Sequence, residues 1–264
     1  MYKFGLEIAS LTKSKENKIT TGFKEFDIFL KEFDEENLII TIASRPAVGK
    51  TSFAITICNH LLRQNKKVLY ISLLDSKNII EKKFVKNFCK KPYADIEEYK
   101  NAITDLKNSN LSILAKSNLT IDELESVIKK IKPEYIFIDE IQQFRLQKDL
   151  SLDDIVLKIK ELTQKYNLCT FILSQISRAV EKRNDKRPLL VDIKNTTQLE
   201  EISDLAAVIY REEYYNLESE NNLAEIIIRK NNYAPIGSFN LIFDKVFFEN
   251  GPNYETFWIQ FPLS

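Results

Sequence analysis

The sequence predicts an α/β fold with a mainly parallel central sheet flanked by helices. Short and almost continuously apolar runs alternate along the chain with longer amphipathic stretches, an order that is typical of a three-layer sandwich. The runs lie at 38–42, 68–74, 135–139 and 169–174. Because they are apolar at nearly every position, we expect them to be strands that are buried on both faces of the sheet.

Helices are predicted between these strands, where apolar residues recur with helical spacing. The stretches with this spacing lie at 51–65, 76–90, 120–132 and 152–166. Two later runs, 223–230 and 238–244, are rich in β-forming residues and are joined by NNYAPIG. This arrangement predicts an antiparallel C-terminal hairpin that extends the sheet.

Composition indicates a single domain. A chain of 264 residues with 44% hydrophobic content is long enough to bury one large core, and we expect a domain at 19–264 after a lead or linker segment at 1–18. Basic and acidic side chains each number 38, so the bulk charge does not favour a polyanionic partner. Any contact with nucleic acid must then come from a local patch or from assembly.

Several function classes are excluded by the rare residues. The three cysteines are far apart and form no metal-ligand spacing, which fits reduced intracellular thiols. His60 is the only histidine, and this argues against a His-based metal centre or a Ser-His-Asp triad. We see no signal peptide and no apolar run of membrane-spanning length, so we expect a cytoplasmic protein without membrane contact.

A phosphate-binding loop is indicated directly after the first apolar run. The P-loop pattern G-x-x-x-x-G-K-[ST] uses backbone amides to surround phosphates, a lysine to reach the outer phosphates and a hydroxyl to hold Mg²⁺. A surface turn before a helix is the alternative, but the strand before and the helix after favour a nucleotide site. The predicted cofactor-binding residues here are Ser44, which replaces the first glycine, Arg45, Pro46, Ala47, Val48, Gly49, Lys50, Thr51 and Ser52.

The ends of two other strands supply polar residues that would complete such a site. Asp139 ends the YIFID run, and with Thr51 it is the predicted magnesium ligand, although an acidic helix cap is the alternative reading. Gln175 leaves the next strand and would sense the γ-phosphate or orient water, although a plain strand-end turn is equally compatible with the pattern. The expected ligands of this site are therefore a nucleotide and Mg²⁺.

Longer motifs give the chain a resemblance to a known family. TGFKEFD at 21–27, RPAVGKT, YIFIDEIQ and above all LSQISRAVEKRNDKRP at 173–188 resemble the C-terminal motor domain of DnaB-type replicative helicases, which has a RecA-like fold. The likeness covers about 19–244. It implies a ring of six subunits with ATP at each subunit interface and single-stranded DNA in the central channel. We expect the separate N-terminal domain of that family to be absent.

The resemblance also implies the DNA contacts. In that family the loop corresponding to 191–200 touches the DNA backbone, and the polar, modestly basic character of this loop suits contacts to phosphates regardless of sequence. The predicted DNA-binding residues are Arg183, Lys194, Asn195 and Thr197. The family's glycine is missing from this loop, and we therefore expect a weaker grip on DNA.

Two departures from the family concern hydrolysis. The family carries its catalytic glutamate where this chain has Leu74, and a hydrocarbon cannot accept a proton. Asp75 could reach in after a one-residue shift, but Glu140 is the better candidate for the base, with Gln175 and Lys50 as the other catalytic residues. The family's arginine finger falls on Asn232, whereas the lysine two residues earlier, Lys230, is kept as a nucleotide ligand.

Three functions stay open from the sequence. The chain could be an ATP-driven translocase on single-stranded DNA with relocated catalytic groups and impaired hydrolysis. It could be a degenerate relative that binds nucleotide and joins, loads or inhibits a replicative helicase ring. It could also be a RecA-like module that binds single strands without translocation.

Overall fold

The computed structural model describes most of the chain. The described residues are 18–89, 95–144, 150–194, 197–216 and 222–251, with the backbone of 257–258. Within them the strands are β1 (Leu38–Ser44), β2 (Val68–Ser72), β3 (Leu111–Ala115), β4 (Tyr135–Asp139), β5 (Cys169–Gln175), β6 (Leu205–Tyr210), β7 (Leu223–Asn231), β8 (Gly237–Asp244), β9 (Phe247–Asn250) and β10 (Phe257–Trp258). The helices are α1 (Lys24–Leu30), α2 (Lys50–Arg63), α3 (Lys77–Cys89), α4 (Ile96–Asn108), α5 (Ile121–Ile131), α6 (Leu152–Lys165), α7 (Gln198–Ile202) and α8 (Glu212–Tyr215).

These strands join one sheet in the order β10-β8-β7-β6-β1-β5-β4-β2-β3, with β9 beside β8. The six strands from β6 to β3 are parallel to one another, whereas β6–β7, β7–β8 and the pairs formed by β9 and β10 are antiparallel. This confirms the predicted parallel sheet with its C-terminal hairpin. The carboxyl ends of β1, β4 and β5 lie side by side, because each of these strands is paired in register with a neighbour.

Helices cover both faces of the sheet and enclose two apolar cores. On one face, α1, α2 and α3 bury side chains such as Phe26, Phe53 and Phe84 against the sheet. On the other face, α5, α6 and α7 bury residues such as Leu124 and Ile159. Along β1, alternate residues enter the two cores, which explains why every residue of this strand is buried. No helix in the described part of the chain is long and apolar enough to cross a bilayer.

The four predicted helices begin and end within two residues of α2, α3, α5 and α6. The apolar pattern did not predict α4 or β3. In α4 only Ala102 is buried, so its apolar stripe is weak, although Asp95 and Glu98 form a capping box at its start. The strand β3 lies at the edge of the sheet with every residue half-buried, and it therefore lacks the continuous apolar run of a central strand.

The centre of the parallel sheet offers a direct test of the fold. Phe171 on β5 is fully buried and stacks on Phe137 of β4, with ring centroids 4.4 Å apart. We expect Phe171→Ala to lower the free energy of unfolding by about 3–5 kcal/mol in urea denaturation, because it removes a large core side chain and leaves a cavity. Leu74→Ala is the control, since Leu74 is 62% exposed, and its expected cost is under about 0.5 kcal/mol. A loss below about 1 kcal/mol for Phe171→Ala would contradict this packing.

Candidate nucleotide-binding site

The loop between β1 and α2 has the backbone shape of an anion cradle. Ala47 and Gly49 have positive φ angles of 65° and 118°, and Gly49 is the residue before the first turn of α2. Positive φ angles at such closely spaced residues are typical of backbone nests that bind anions, and the positive end of the helix dipole lies at the same place. The first turn of α2 contains no acidic residue that would compete with a phosphate.

The outer residues of the loop are held by the rest of the fold. Ser44 ends β1, is fully buried, and its Oγ donates to the carbonyl of Arg45 at 2.9 Å. Arg45 points away from the loop: its Nη2 pairs with Glu181 at 2.7 Å and its Nη1 donates to the Ile176 carbonyl at 2.8 Å. The Arg45 side chain therefore anchors the loop to the segment after β5, and its contribution to the cradle would be through its backbone.

The remaining loop positions divide into exposed and buried residues. Pro46 and Ala47 are exposed at the tip, and Val48 is buried in the core beneath it. Ser52 is half-buried in the first turn of α2, and its carbonyl accepts a hydrogen bond from Thr56. The side chain of Lys50 contacts Glu140, which directly follows β4, and the side chain of Thr51 contacts Asp139, which ends β4.

A hydroxyl and a carboxylate come together where magnesium is predicted to bind. Thr51 Oγ1 donates to Asp139 Oδ2 at 2.8 Å, and the hydroxyl of Tyr70 donates to the same oxygen at 2.7 Å. Burial, followed by the negative charge of Asp139, raises the pKa of Tyr70 well above its usual value, so the phenol stays protonated. Hard oxygen ligands of this kind fit Mg²⁺, which Thr51 and Asp139 would hold at the end of the cradle.

A buried ion pair connects the loop lysine to the second carboxylate. Lys50 Nζ lies 2.5 Å from Glu140 Oε2, and these side chains are only 7% and 6% exposed. The other carboxylate oxygen of Glu140 accepts a hydrogen bond from the side-chain amide of Gln175. The structure thus brings together Lys50, Glu140 and Gln175, the three residues predicted to be catalytic.

Gln175 also connects this site to the loop that is predicted to bind DNA. Its backbone carbonyl accepts a hydrogen bond from the Lys194 amide at 2.9 Å. Gln142 reinforces the connection, because its side chain accepts from the Gln175 amide and donates to both Ser174 Oγ and the Lys194 carbonyl. A displacement of Gln175 would therefore be transmitted to Lys194 through short, direct contacts.

The predicted DNA contacts have different surroundings. Lys194 and Thr197 are exposed, whereas Asn195 lies outside the described residues. Arg183 forms a bidentate pair with the buried Asp192, at 2.7 and 3.2 Å, and also donates to the Arg187 carbonyl. Its guanidinium stabilises the fold of the 183–192 segment in this structure, and direct contact with DNA stays a prediction for this residue.

Leu74 occupies the position of the catalytic glutamate in the resembled family, so that position has no acidic side chain. Leu74 projects into solvent with 62% exposure, and Asp75 is paired at 2.5 Å with Lys83 of α3. Asp75 is further constrained because its backbone exchanges two hydrogen bonds with Ser72 Oγ. Of the two candidates for the general base, Glu140 contacts the P-loop lysine, whereas the carboxylate of Asp75 is paired with Lys83.

Lys230 lies on β7, which is separated by β6 from β1, the strand that precedes the P-loop of the same chain. It pairs with Ala206, which in turn neighbours Thr41 in the middle of β1, and its ammonium donates to the Glu200 and Glu201 carbonyls of α7. The structure therefore engages Lys230 with α7, and its contact with nucleotide stays a prediction. Asn232, at the finger position, is bonded to Asp204 of its own chain.

Sequence reasoning missed several residues that shape the cradle. Adding a Cβ to Gly49 would place it 3.0 Å from Phe248, which with Phe243 forms an aromatic wall behind the loop. Arg211 stacks on Phe243 at 4.3 Å and donates to the Val48 carbonyl. These residues lie on β8 and β9 and directly after β6, and only the register of the sheet brings them to the P-loop. Tyr70 was missed because a tyrosine within an apolar strand is typical of a core residue.

The mainly parallel sheet, the P-loop after its central strand and the acidic end of a nearby strand define a P-loop nucleoside triphosphatase domain of RecA-like fold. The family model of the DnaB-like helicase C-terminal domain matches residues 18–250, and the chain belongs to this family.

Individual relatives agree with this assignment. The replicative DNA helicase DnaB of Geobacillus stearothermophilus is 30% identical over 253 residues, which cover 86% of this chain and 55% of that protein. A DnaB-like replicative helicase whose structure was solved with its interactions with primase superposes with a TM-score of 0.84 at 26% identity, over 96% of this chain and 68% of that one. A second solved structure, an isolated ATPase domain, gives a TM-score of 0.82 at 28% identity, over 94% and 97%. The chain spans about half the length of the curated relatives that it matches.

The Lys50–Glu140 pair leads to a prediction about nucleotide affinity. A nucleotide must take the Lys50 ammonium from Glu140, and the carboxylate would also repel the phosphates. We expect Glu140→Gln to bind a fluorescent ATP analogue about 3–10 times more tightly than the wild type, because a neutral amide competes less for the lysine. Asp75→Asn, which removes an acid paired with Lys83 on the surface, is the control and should leave the affinity unchanged. Weaker binding by Glu140→Gln would show that the carboxylate supports the nucleotide site.

Proposed function

We propose that this chain is the ATP-dependent motor domain of a DnaB-like replicative helicase, acting on single-stranded DNA in DNA replication. The observation that carries this proposal is the contact series Lys50–Glu140–Gln175–Lys194, which joins the P-loop to the predicted DNA loop. Family membership supports the same role, and this role implies a cytoplasmic protein.

ATP and Mg²⁺ are the proposed cofactors. The amides of the P-loop and the Lys50 ammonium would bind the phosphates, while Thr51 and Asp139 would hold the metal. Bound magnesium would neutralise charge on the phosphate oxygens. Because Asp139 is only 8% exposed, its carboxylate would act with little competition from bulk water.

Glu140 is the proposed general base for hydrolysis. When phosphate oxygens take the ammonium of Lys50, one oxygen of the Glu140 carboxylate becomes free to accept a proton from water. Gln175 still donates to the other oxygen, and so it fixes the orientation of the carboxylate. Leu74 cannot perform this role, and the pairing of Asp75 with Lys83 keeps that carboxylate occupied.

DNA contacts are proposed for the loop that begins at Lys194, in which Lys194 and Thr197 are exposed. Lys194 and Thr197, with Asn195, would bind the phosphodiester backbone without reading sequence. Since one loop carries little positive charge, we propose that a ring of identical subunits, a hexamer in the resembled family, repeats it around a central channel. Co-assembly with a replicative helicase ring would achieve the same repetition.

A second candidate function is a nucleotide-binding relative that regulates, loads or inhibits a replicative helicase ring. Two observations favour it. The exposed Leu74 occupies the place of the family's base, and Asn232, at the finger position, is bonded to Asp204. Loss of an arginine finger costs on the order of 10³-fold or more in turnover. The two candidates differ in whether hydrolysis is measurable and stimulated by DNA.

A steady-state ATPase assay with and without single-stranded DNA separates them. We expect slow turnover by the wild type that DNA increases, and none by Lys50→Ala. Glu140→Gln should lower kcat by about 10²–10⁴, because it removes the base. Asp75→Asn should stay within a few-fold of the wild type. Full activity of Glu140→Gln would exclude Glu140 as the base, and a wild type that binds ATP without turnover would favour the regulatory function.

DNA binding can be tested separately by its salt dependence. We expect Lys194→Ala to weaken binding of a poly(dT) oligonucleotide and to lower the slope of log K against log salt by about 0.7 per subunit, because one phosphate contact is lost. Lys130→Ala, which removes an exposed lysine from α5, is the matched control and should change neither quantity. An unchanged slope for Lys194→Ala would exclude this loop as a phosphate-binding surface.

A further inference from the structure

A buried phenol on β2 contacts the carboxylate to which the proposed function assigns the metal. Tyr70 is fully buried, and its hydroxyl donates to Asp139 Oδ2 at 2.7 Å. Thr51 donates to the same oxygen at 2.8 Å. One oxygen of the carboxylate therefore carries two hydrogen-bond donors, one from the P-loop helix and one from the neighbouring strand.

The position of the Tyr70 hydroxyl is fixed by the packing of its ring against two other aromatic rings. The ring stacks on Phe137 with centroids 6.1 Å apart and meets Phe84 of α3 edge to face at 5.2 Å. The strands β2 and β4 are also paired in register, with Tyr70 opposite Phe137 and Ser72 opposite Asp139. A phenol held in this way cannot follow the carboxylate if it rotates, so it defines one orientation for Asp139.

We propose that Tyr70 is a positioning residue that orients Asp139 for binding the magnesium ion of the nucleotide. This inference rests on the proposed function, because it assumes that Asp139 is the metal-binding carboxylate. Rotation of that carboxylate would break two hydrogen bonds at once. Groups that orient a metal-binding side chain commonly change metal affinity by about 10–100-fold when they are removed. The Thr51 hydroxyl alone would leave the carboxylate held by a single donor that is itself a predicted metal ligand.

The contact with Asp139 depends on the hydroxyl of Tyr70 and not on its ring. Phenylalanine at position 70 would keep both ring contacts and lose only the donor. Leucine would lose the donor and part of the packing, so a magnesium shift of the same size in both variants would come from the missing hydroxyl and not from the ring contacts. Tyr135 offers a matched control, because it is equally buried at the opposite end of β4 from Asp139.

The experiment measures magnesium dependence in the full chain. The affinity of the chain for a fluorescent ATP analogue is first measured in EDTA. MgCl₂ is then titrated at a fixed concentration of the analogue, and the enhancement of binding is recorded. We expect Tyr70→Phe to need about 10–100 times more Mg²⁺ for half-maximal enhancement of binding. Its affinity for the analogue in EDTA should equal that of the wild type. Tyr135→Phe should match the wild type in both titrations, and Tyr70→Leu should show the same magnesium shift as Tyr70→Phe.

Two results would overturn the role of Tyr70 and leave the proposed nucleotide function standing. One is a magnesium requirement of the wild-type size in Tyr70→Phe. The other is an equal loss of affinity with and without Mg²⁺, which would indicate that the hydroxyl only supports the fold of the site. If the wild type binds no analogue under either condition, the proposed nucleotide function fails, and the role of Tyr70 fails with it.

Discussion

The parallel register of β1, β4 and β5 is the constraint on which the site depends. Because these strands run side by side in the same direction, the P-loop, the carboxylates of Asp139 and Glu140, and the amide of Gln175 all emerge at one edge of the sheet. The buried ion pair between Lys50 and Glu140 lies at that edge and joins the P-loop to the end of β4. Two charges removed from water are tolerated here because they are paired with each other and Gln175 also donates to the Glu140 carboxylate.

The same edge gives the site a mechanical connection to the proposed DNA surface. Gln175 donates its side-chain amide to Glu140 and accepts the Lys194 amide through its backbone, while Gln142 bonds to both ends of this connection. A change at the phosphates that moves Glu140 would therefore act on the loop at Lys194 without a long relay. Family membership and the departure at Leu74 are compatible in this arrangement, because Glu140 supplies an acid that contacts the P-loop lysine.

Much of the architecture could be predicted from local pattern. The continuous apolar runs identified β1, β2, β4 and β5, and the helical spacing identified four helices to within two residues, because burial on two faces or on one stripe leaves a clear periodicity. The edge strand β3 and the weakly buried α4 left no such signal. The P-loop, Asp139 and Gln175 were predicted as site residues because each directly follows or ends a strong strand signal.

The sequence by itself determined the fold class and the family, and it predicted the residues of the phosphate cradle, since all of these depend on short-range patterns. Only the tertiary structure decided which side chains those residues meet. It joined Lys50 to Glu140, placed Tyr70 on Asp139, set Phe243 and Phe248 behind Gly49, and engaged Arg183 with Asp192. Most of these partners lie far apart along the chain, and strand order and register, which no local periodicity encodes, bring them into contact.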